Sequence, residues 1–555
     1  MASRTTDAKQ DTAQARAAAA SGSTFSPLRH PSFRLLWIAS LASNTGIWVQ
    51  NTGAGWLMTS LAPSPIMVSL VQTASMLPIF LLALPAGAIA DILDRRRHLI
   101  MAQSWMCIMG ALLCVLTALH MIGPWGLLAI TFSIGIGSAM NSPAWQATTP
   151  ELVPRSDLTQ AIVLNSIGFN IARSIGPALG GFIIGLAGTQ AAFAFNAVCF
   201  LVLIMALVAW KREAPRSRLP KEHFLSAMRA GMRFVGASPL MRTIILRSVV
   251  YVFFSAAVWG LLPLLVRHRL GLGPEAYGLL LGAMGVGAVC GGLAMTRLRR
   301  MMGPNGMVFM ATLLSVAALI MLGLARHWSL AGAGMLFYGA SWIIATSTMQ
   351  AQAQMIAPAW VRARAIGIYQ LSFNGMLALG ATLAGWLGGA VGVHWALLGS
   401  GIGGLVAGVA VRALRLEGPA AREAPTGSIP EPEAPAPELA GLLARDRGRV
   451  LEGVRYRIDP ADRTAFLAAM ADLRQVRMRS GALWWRLYED VAHPEFWAEF
   501  WAVESWTEHL REMDRLEPED RAIIARAAAL HRGDTPPKAS RYIAQDPLIA
   551  QGRHS

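Results

Sequence analysis

The stretch Gly87-Ala-Ile-Ala-Asp-Ile-Leu-Asp-Arg-Arg-Arg97 closes an apolar run that begins near Ile66, and a partial copy, Gly291-Gly-Leu-Ala-Met-Thr-Arg-Leu-Arg-Arg-Met301, closes another. The two stretches are 204 residues apart, and the same offset holds far beyond them. It pairs Gln146-Ala147 with Gln350-Ala351, Pro154 with Pro358, Ala161-Ile162 with Ala365-Ile366, Phe169-Asn170 with Phe373-Asn374, Gly176 with Gly380 and Gly181 with Gly385. One unbroken register over this distance reads as an internal duplication.

The duplicated region is too apolar for water. Hydrophobic residues make up 54% of the 555, charged residues 14%, and the mean hydropathy is +0.44. Soluble domains carry about 25% charge. Apolar segments of membrane-spanning length recur from Phe33 to about Leu414. Twelve spans are expected, near 33–60, 66–92, 98–120, 124–149, 158–187, 190–210, 240–266, 274–296, 305–325, 329–356, 363–390 and 394–414. Parallel six-helix repeats of this kind build secondary transporters whose halves rock about a central site. The expected fold is thus an all-α membrane protein with twelve transmembrane helices in two six-helix repeats, carrying a small C-terminal ferredoxin-like α+β domain.

The net charge of +16 suggests nucleic acid until the chain is divided. Residues 448–555 hold 16 Lys+Arg and 17 Asp+Glu, leaving 32 and 15 for the apolar part. The excess follows the positive-inside rule instead. With the N-terminus inside, cytoplasmic segments carry 21 Lys/Arg, including Arg95 to Arg97 and eight between 211 and 242, against three outside: Arg267, Arg269 and Arg326. Both termini are therefore expected in the cytoplasm and the chain in the inner membrane, with no nucleic-acid partner. All four cysteines lie in apolar runs, with no metal spacing and no disulfide framework.

Six segments are expected: a disordered cytoplasmic tail (1–24), an N-terminal bundle (25–210), a basic cytoplasmic loop (211–238), a C-terminal bundle (239–416), a Pro/Ala/Glu linker (417–447) and a cytoplasmic domain (448–545). In the last, the pattern strand, helix, strand, strand, helix, strand gives the ferredoxin-like unit.

Gly87–Arg97 resembles the loop motif between the second and third helices of the major facilitator superfamily. The stretch Pro143–Gly181 is similar to the enterobactin-exporter-like branch of that superfamily. The C-terminal segment, with Ser505-Trp-Thr-Glu-His-Leu-Arg-Glu-Met-Asp-Arg-Leu516 after a Trp-rich strand pair, resembles the antibiotic-biosynthesis-monooxygenase-like dimeric α/β barrel. The first resemblance implies that Asp91 locks the outward-open state, and its carboxylate suits a helix N-terminus. Arg95, Arg96 and Arg97 are expected at the anionic inner leaflet, with Asp94 in a place where the motif has Gly. Arg95, Arg96, Glu151 and Arg155 are expected to join Asp91 in a gating charge network.

Arg173 lies about 22 Å into the fifth span at 1.5 Å per residue. An arginine at that depth costs about 2.5–3.5 kcal/mol to insert, so it should face a cavity or a partner. Arg247, nearer an end, is expected to snorkel. Only seven acidic residues occur between 33 and 415, none near a bilayer midplane. Their scarcity points to neutral, amphipathic or anionic ligands. Asn44, Gln50, Asn170, Gln370 and Asn374 complete the candidate ligand set, each weighed against a role as interhelical glue. The expected function is proton-coupled export of a siderophore-like or amphipathic small molecule, without cofactor or metal. The competing reading is a membrane-tethered enzyme or sensor acting through the C-terminal domain. Residues 448–555 contain no Asn, and their alternating aromatics fit core packing and homodimerisation better than catalysis.

Overall fold

A computed structural model describes residues 25–92, 94–210, 224–358, 361–414, 448–516, 518–533 and 535–544, with isolated positions between 416 and 443. The expected N-terminal tail and nearly all of the Pro/Ala/Glu linker lie outside them. The chain forms two compact units, one comprising 1–219, 245–350 and 369–414, the other 220–244, 351–368 and 415–555.

The first unit is built from long helices: α1 (Pro31–Leu61), α2 (Pro65–Ile92), α3 (Arg95–Ala118), α4 (Pro124–Leu152) and α5 (Leu158–Ala209). After α6 (Phe224–Ala237) come α7 (Pro239–Leu264), α8 (Pro274–Leu324), α9 (Trp328–Ile356), α10 (Arg362–Val391) and α11 (Val393–Val411). Five of these helices start on proline, whose fixed φ and missing N–H suit the first turn. Asp94 ends the link after α2 and caps α3, its side chain accepting a hydrogen bond from Arg97 N at 3.0 Å.

Among the described residues, nine helices are long and apolar enough to cross a bilayer. Two of them are double length. α5 breaks at Gly188 (φ 80°) and α8 at Gly303 (φ 60°), conformations that glycine alone adopts without strain. Gly392, at the break between α10 and α11, has φ 93° and stands 204 residues after Gly188, so the duplication reaches the backbone. All four cysteines are free thiols.

In the second unit, α6 occupies the expected basic loop. Its sequence, FLSAMRAGMRFVGA, repeats apolar residues with helical period, a signal hidden by the flanking charges. The C-terminal domain runs β1 (Val450–Arg457), α12 (Arg463–Ser480), β2 (Trp484–Glu489), β3 (Phe496–Val503), α13 (Trp506–Arg515), α14 (Pro518–Ala529) and β4 (Lys538–Ile543). Its antiparallel sheet has the order β2-β3-β1-β4, the expected ferredoxin-like topology. Val454, Tyr456, Phe466, Leu473, Trp497, Trp501 and Ile524 form its core.

Candidate functional site

A continuous run of aromatic rings crosses the middle of the helical unit. Trp48 on α1 meets Phe169 on α5 at 6.5 Å and Trp259 on α7 at 6.0 Å. Trp259 meets Trp342 on α9 at 5.8 Å, and Trp342 meets Phe373 on α10 at 5.9 Å. Tyr338 and Tyr251 pack on Trp342 at 5.9 and 6.4 Å. The Trp48–Trp259 contact joins the two sequence halves, and Phe169 and Phe373 are partners under the 204-residue offset. Sequence reasoning passed over these rings because a Trp or Phe inside an apolar run looks like any other apolar residue. The Phe169–Phe373 register was the available signal.

Arg173 stands one turn beyond Phe169 on α5. It is half-buried, within electrostatic reach of the buried Tyr338, and among the described residues makes no hydrogen bond or ion pair. The Tyr338 hydroxyl is itself committed to Ser255 O at 2.8 Å. The Arg173 guanidinium thus lies beside the aromatic run with its donors uncommitted.

Arg247 has the opposite surroundings. It is 3% exposed and donates to Val411 O at 3.2 Å, Arg412 O at 2.8 Å and Asn305 Oδ1 at 3.0 Å. The expected snorkelling gives way to capping of the α11 C-terminus, whose last carbonyls lack intrahelical donors.

The amide candidates divide similarly. Asn44, Asn170 and Asn374 donate to the carbonyls of Ser40, Ser166 and Gln370, each four residues back and each at 2.8 Å. Their side-chain oxygens stay available, and Asn170 is exposed. Gln370 is half-buried. Gln50 is 2% exposed, and its amide oxygen accepts a hydrogen bond from Asn196 on α5. The bond ties α1 to α5, the interhelical role weighed for Gln50 beside ligand contact. Gln103 and Asn141 likewise bond each other across α3 and α4 at 3.0 Å.

At the charged end, Arg95 Nη1 donates to Glu151 Oε1 at 2.5 Å and to Ala147 O at 2.9 Å, tying α3 to α4. Arg96 donates to Leu207 O at 2.8 Å and Val208 O at 2.5 Å at the end of α5. Both arginines therefore hold helix ends together, alongside the gating and inner-leaflet roles expected of them. Asp91 stands in the last turn of α2; its side chain and that of Arg155 lie outside the described residues.

Close contacts between the halves gather toward the end where α1 meets α2. Arg267 donates to Thr59 Oγ1 at 2.9 Å and to Ser60 Oγ, and its guanidinium sits 5.5 Å from the Trp56 ring centre. Trp56 stacks on Tyr277 at 5.9 Å. Thr73 Oγ1 lies 2.6 Å from Thr382 Oγ1 and 3.1 Å from Ala378 O. The GPALGG run supplies close approaches both between the halves and within the first one. A Cβ on Gly181 would stand 2.6 Å from Gly278 Cα, and one on Gly176 2.6 Å from Trp48 Cβ. Small residues of this kind let membrane helices touch backbone to backbone.

The comparisons with known proteins agree with this architecture. The chain is 25% identical over 276 residues to the staphyloferrin A transporter of Staphylococcus aureus, covering 50% of this chain and 69% of that one. It is 26% identical over 391 residues to the enterobactin exporter of Shigella boydii, covering 68% and 91%. Among solved structures, a bacterial homologue of the human lysosomal transporter Spinster aligns with TM-score 0.55 at 15% identity, covering 71% of this chain and 97% of that one. The nucleoside transporter NupG aligns with TM-score 0.51 at 12% identity, covering 69% and 98%. Residues 22–547 match the family described as transmembrane secretion effector. The chain belongs to that family and is a multi-pass membrane transporter of the major facilitator superfamily.

Proposed function

We propose that the protein exports a small, siderophore-like anionic or amphipathic molecule across the inner membrane by alternating access, driven by protons. Twelve passes are inferred by counting each double-length helix as two and adding α1 to the nine apolar candidates. The charge bias of the loops favours cytoplasmic termini, which makes the α1–α2 end the outer one. The zipped contacts there favour a state closed to the outside and open to the cytoplasm.

The uncommitted Arg173 guanidinium beside the aromatic run is the observation that carries the ligand reading. An arginine in an apolar span is stabilised when a ligand supplies the negative charge, and the flanking rings offer faces to an aromatic or acyl body. Asn44, Asn170, Gln370 and Asn374 would contribute polar contacts. The names of the two relatives favour a metal-chelating cargo. Export then requires the Thr73–Thr382, Arg267–Thr59 and Gly181–Gly278 contacts to part while the cytoplasmic ends close. Asp91, Arg95, Arg96, Glu151 and Arg155 are proposed to gate that closure, and Asp91 or Glu151 to carry the coupled proton.

Comparing secreted and retained metabolites of deletion and wild-type cells tests the reading. The deletion strain should retain an anionic chelator that wild-type cells secrete. Unchanged partitioning of every such compound would overturn the export claim. Restoration by the wild-type chain but not by Arg173→Ala would tie the ligand to this site.

A further inference from the structure

The C-terminal domain buries an unusual number of ionisable groups, and they fall into two sets. The first set is internally satisfied. Glu499, fully buried on the inward face of β3, accepts from Arg477 Nε at 3.1 Å, Trp485 Nε1 at 2.9 Å and the Tyr456 hydroxyl at 3.1 Å. The Arg477 guanidinium is held 3.6 Å from the Trp501 ring centre.

The second set is not. Glu452 lies on the same inward register of β1 as Val450, Val454 and Tyr456, a place an apolar side chain would ordinarily fill, and it is 4% exposed. His509 and Glu512 lie three apart on α13, hence on one helix face, and are 1% and 2% exposed. One ligand-type atom from each of the three lies within 4.8 Å of the others. His509 Nδ1 is 2.6 Å from Glu452 Oε1. Glu512 Oε2 accepts from Trp501 Nε1 at 3.2 Å, but Glu512 Oε1 is buried with no hydrogen-bond donor among the described residues. The Arg477 cation is 3.8 Å from that oxygen, and it already serves Glu499. Arg541, opposite Glu452 on β4, lies within electrostatic reach of its carboxylate.

Two carboxylates this close and this dry need a cation or a shared proton. The helix phase is fixed by Ser505, whose hydroxyl caps α13 by accepting from Glu508 N at 3.3 Å. The His509 ring is oriented by Trp506, with ring centres 4.9 Å apart.

We propose that Glu452, His509 and Glu512 form a binding site for one divalent transition-metal cation. One imidazole nitrogen and two carboxylate oxygens suit Zn²⁺, Fe²⁺, Mn²⁺ or Co²⁺ rather than Ca²⁺ or a thiolate-loving ion. Metal–ligand distances near 2.0–2.2 Å require the His509 nitrogen and the Glu452 oxygen to part to about 3 Å and the Glu512 oxygen to draw in, with His509 giving up the proton it shares with Glu452. The domain side of the family resemblance implies no such site, and the proposal is independent of the transported substrate.

The test uses the full chain in detergent, purified without a histidine tag and stripped with chelator. Co²⁺ is titrated in while its visible d–d absorption is followed, and Zn²⁺ then competes. The expected result is one Co²⁺ per chain, displaced by Zn²⁺. Glu512→Gln, close in size and still able to accept from Trp501, should weaken binding by at least about 10–100-fold, and His509→Ala likewise. His493→Ala, at an exposed position, should bind as the wild type does. A wild-type chain that takes up no stoichiometric Co²⁺ would mean that the carboxylates share a proton, and would overturn the proposal. Undiminished binding by Glu512→Gln would place any metal elsewhere and overturn it equally. Should His509→Ala fail to fold, Glu512→Gln decides alone.

Discussion

Arg173 and Arg247 are both arginines inside apolar helices, and their neighbours assign them different work. Arg247 donates three hydrogen bonds to groups at a helix end and the start of another. Arg247→Ala should therefore cost stability, about 1.5–3 kcal/mol for charged hydrogen bonds lost from a buried site, read as a lower melting temperature with ligand affinity unchanged in the folded fraction. Arg173 has no such bonds. Arg173→Ala should leave the melting temperature near wild type and weaken binding of an anionic ligand about 10–100-fold, the worth of a charge-assisted hydrogen bond, with Arg173→Lys in between. Asp91→Asn should insert normally and slow transport; wild-type turnover would remove Asp91 from the gate. Both arginines stood out in the sequence because an ionised group in an apolar run needs a reason. What separated them was not legible, since Arg247 is explained by carbonyls that any residue at the end of α11 would present. Gln50 shows the same limit: its partner Asn196 is 146 residues away.

At the scale of elements, the helices were readable from apolar length, and the GPALGG run from its small residues. Gly181→Leu puts a side chain where Gly278 Cα already stands within 2.6 Å of a bare Cβ. It should hold the halves apart at the α1–α2 end, lowering export several-fold while raising labelling of a cysteine introduced at Trp56. Labelling equal to that of the parent would contradict the packing account. Gly188→Ala tests the break in α5. At φ 80° and ψ 173° an L side chain costs about 1–3 kcal/mol, so the variant should melt lower even though nothing near it binds ligand. α6 was missed because its sequence was judged by the charges around it. The strands of the C-terminal domain were read correctly because period-two alternation survives there, as in the inward face Trp497, Glu499, Trp501 and Val503. The ionic character of that face was not foreseen: the alternation marks which residues point inward, not what they meet.

For the whole molecule, the duplication is the strongest message. The 204-residue offset relates loops, helix-packing glycines, the Phe169–Phe373 ring pair and the Gly188–Gly392 breaks, yet the chemistry is asymmetric. Asp91 is matched by Met295 and Arg173 by Leu377, so one half carries the proposed charge chemistry and the other completes the aromatic wall. Removing residues 425–555 should abolish the proposed metal binding and leave membrane insertion and basal export intact, since the aromatic run, Arg173 and the contacts between the halves all lie on helices that end by Val411. In the proposed transport cycle an anionic cargo moves outward through a chamber read by Arg173. Uptake of radiolabelled enterobactin, as a chelator of the proposed class, into energised everted membrane vesicles tests it most directly. Accumulation should collapse when the proton gradient is dissipated, and Arg173→Ala should reduce it at least about tenfold at subsaturating substrate. Accumulation by the Arg173→Ala chain equal to wild type would contradict it.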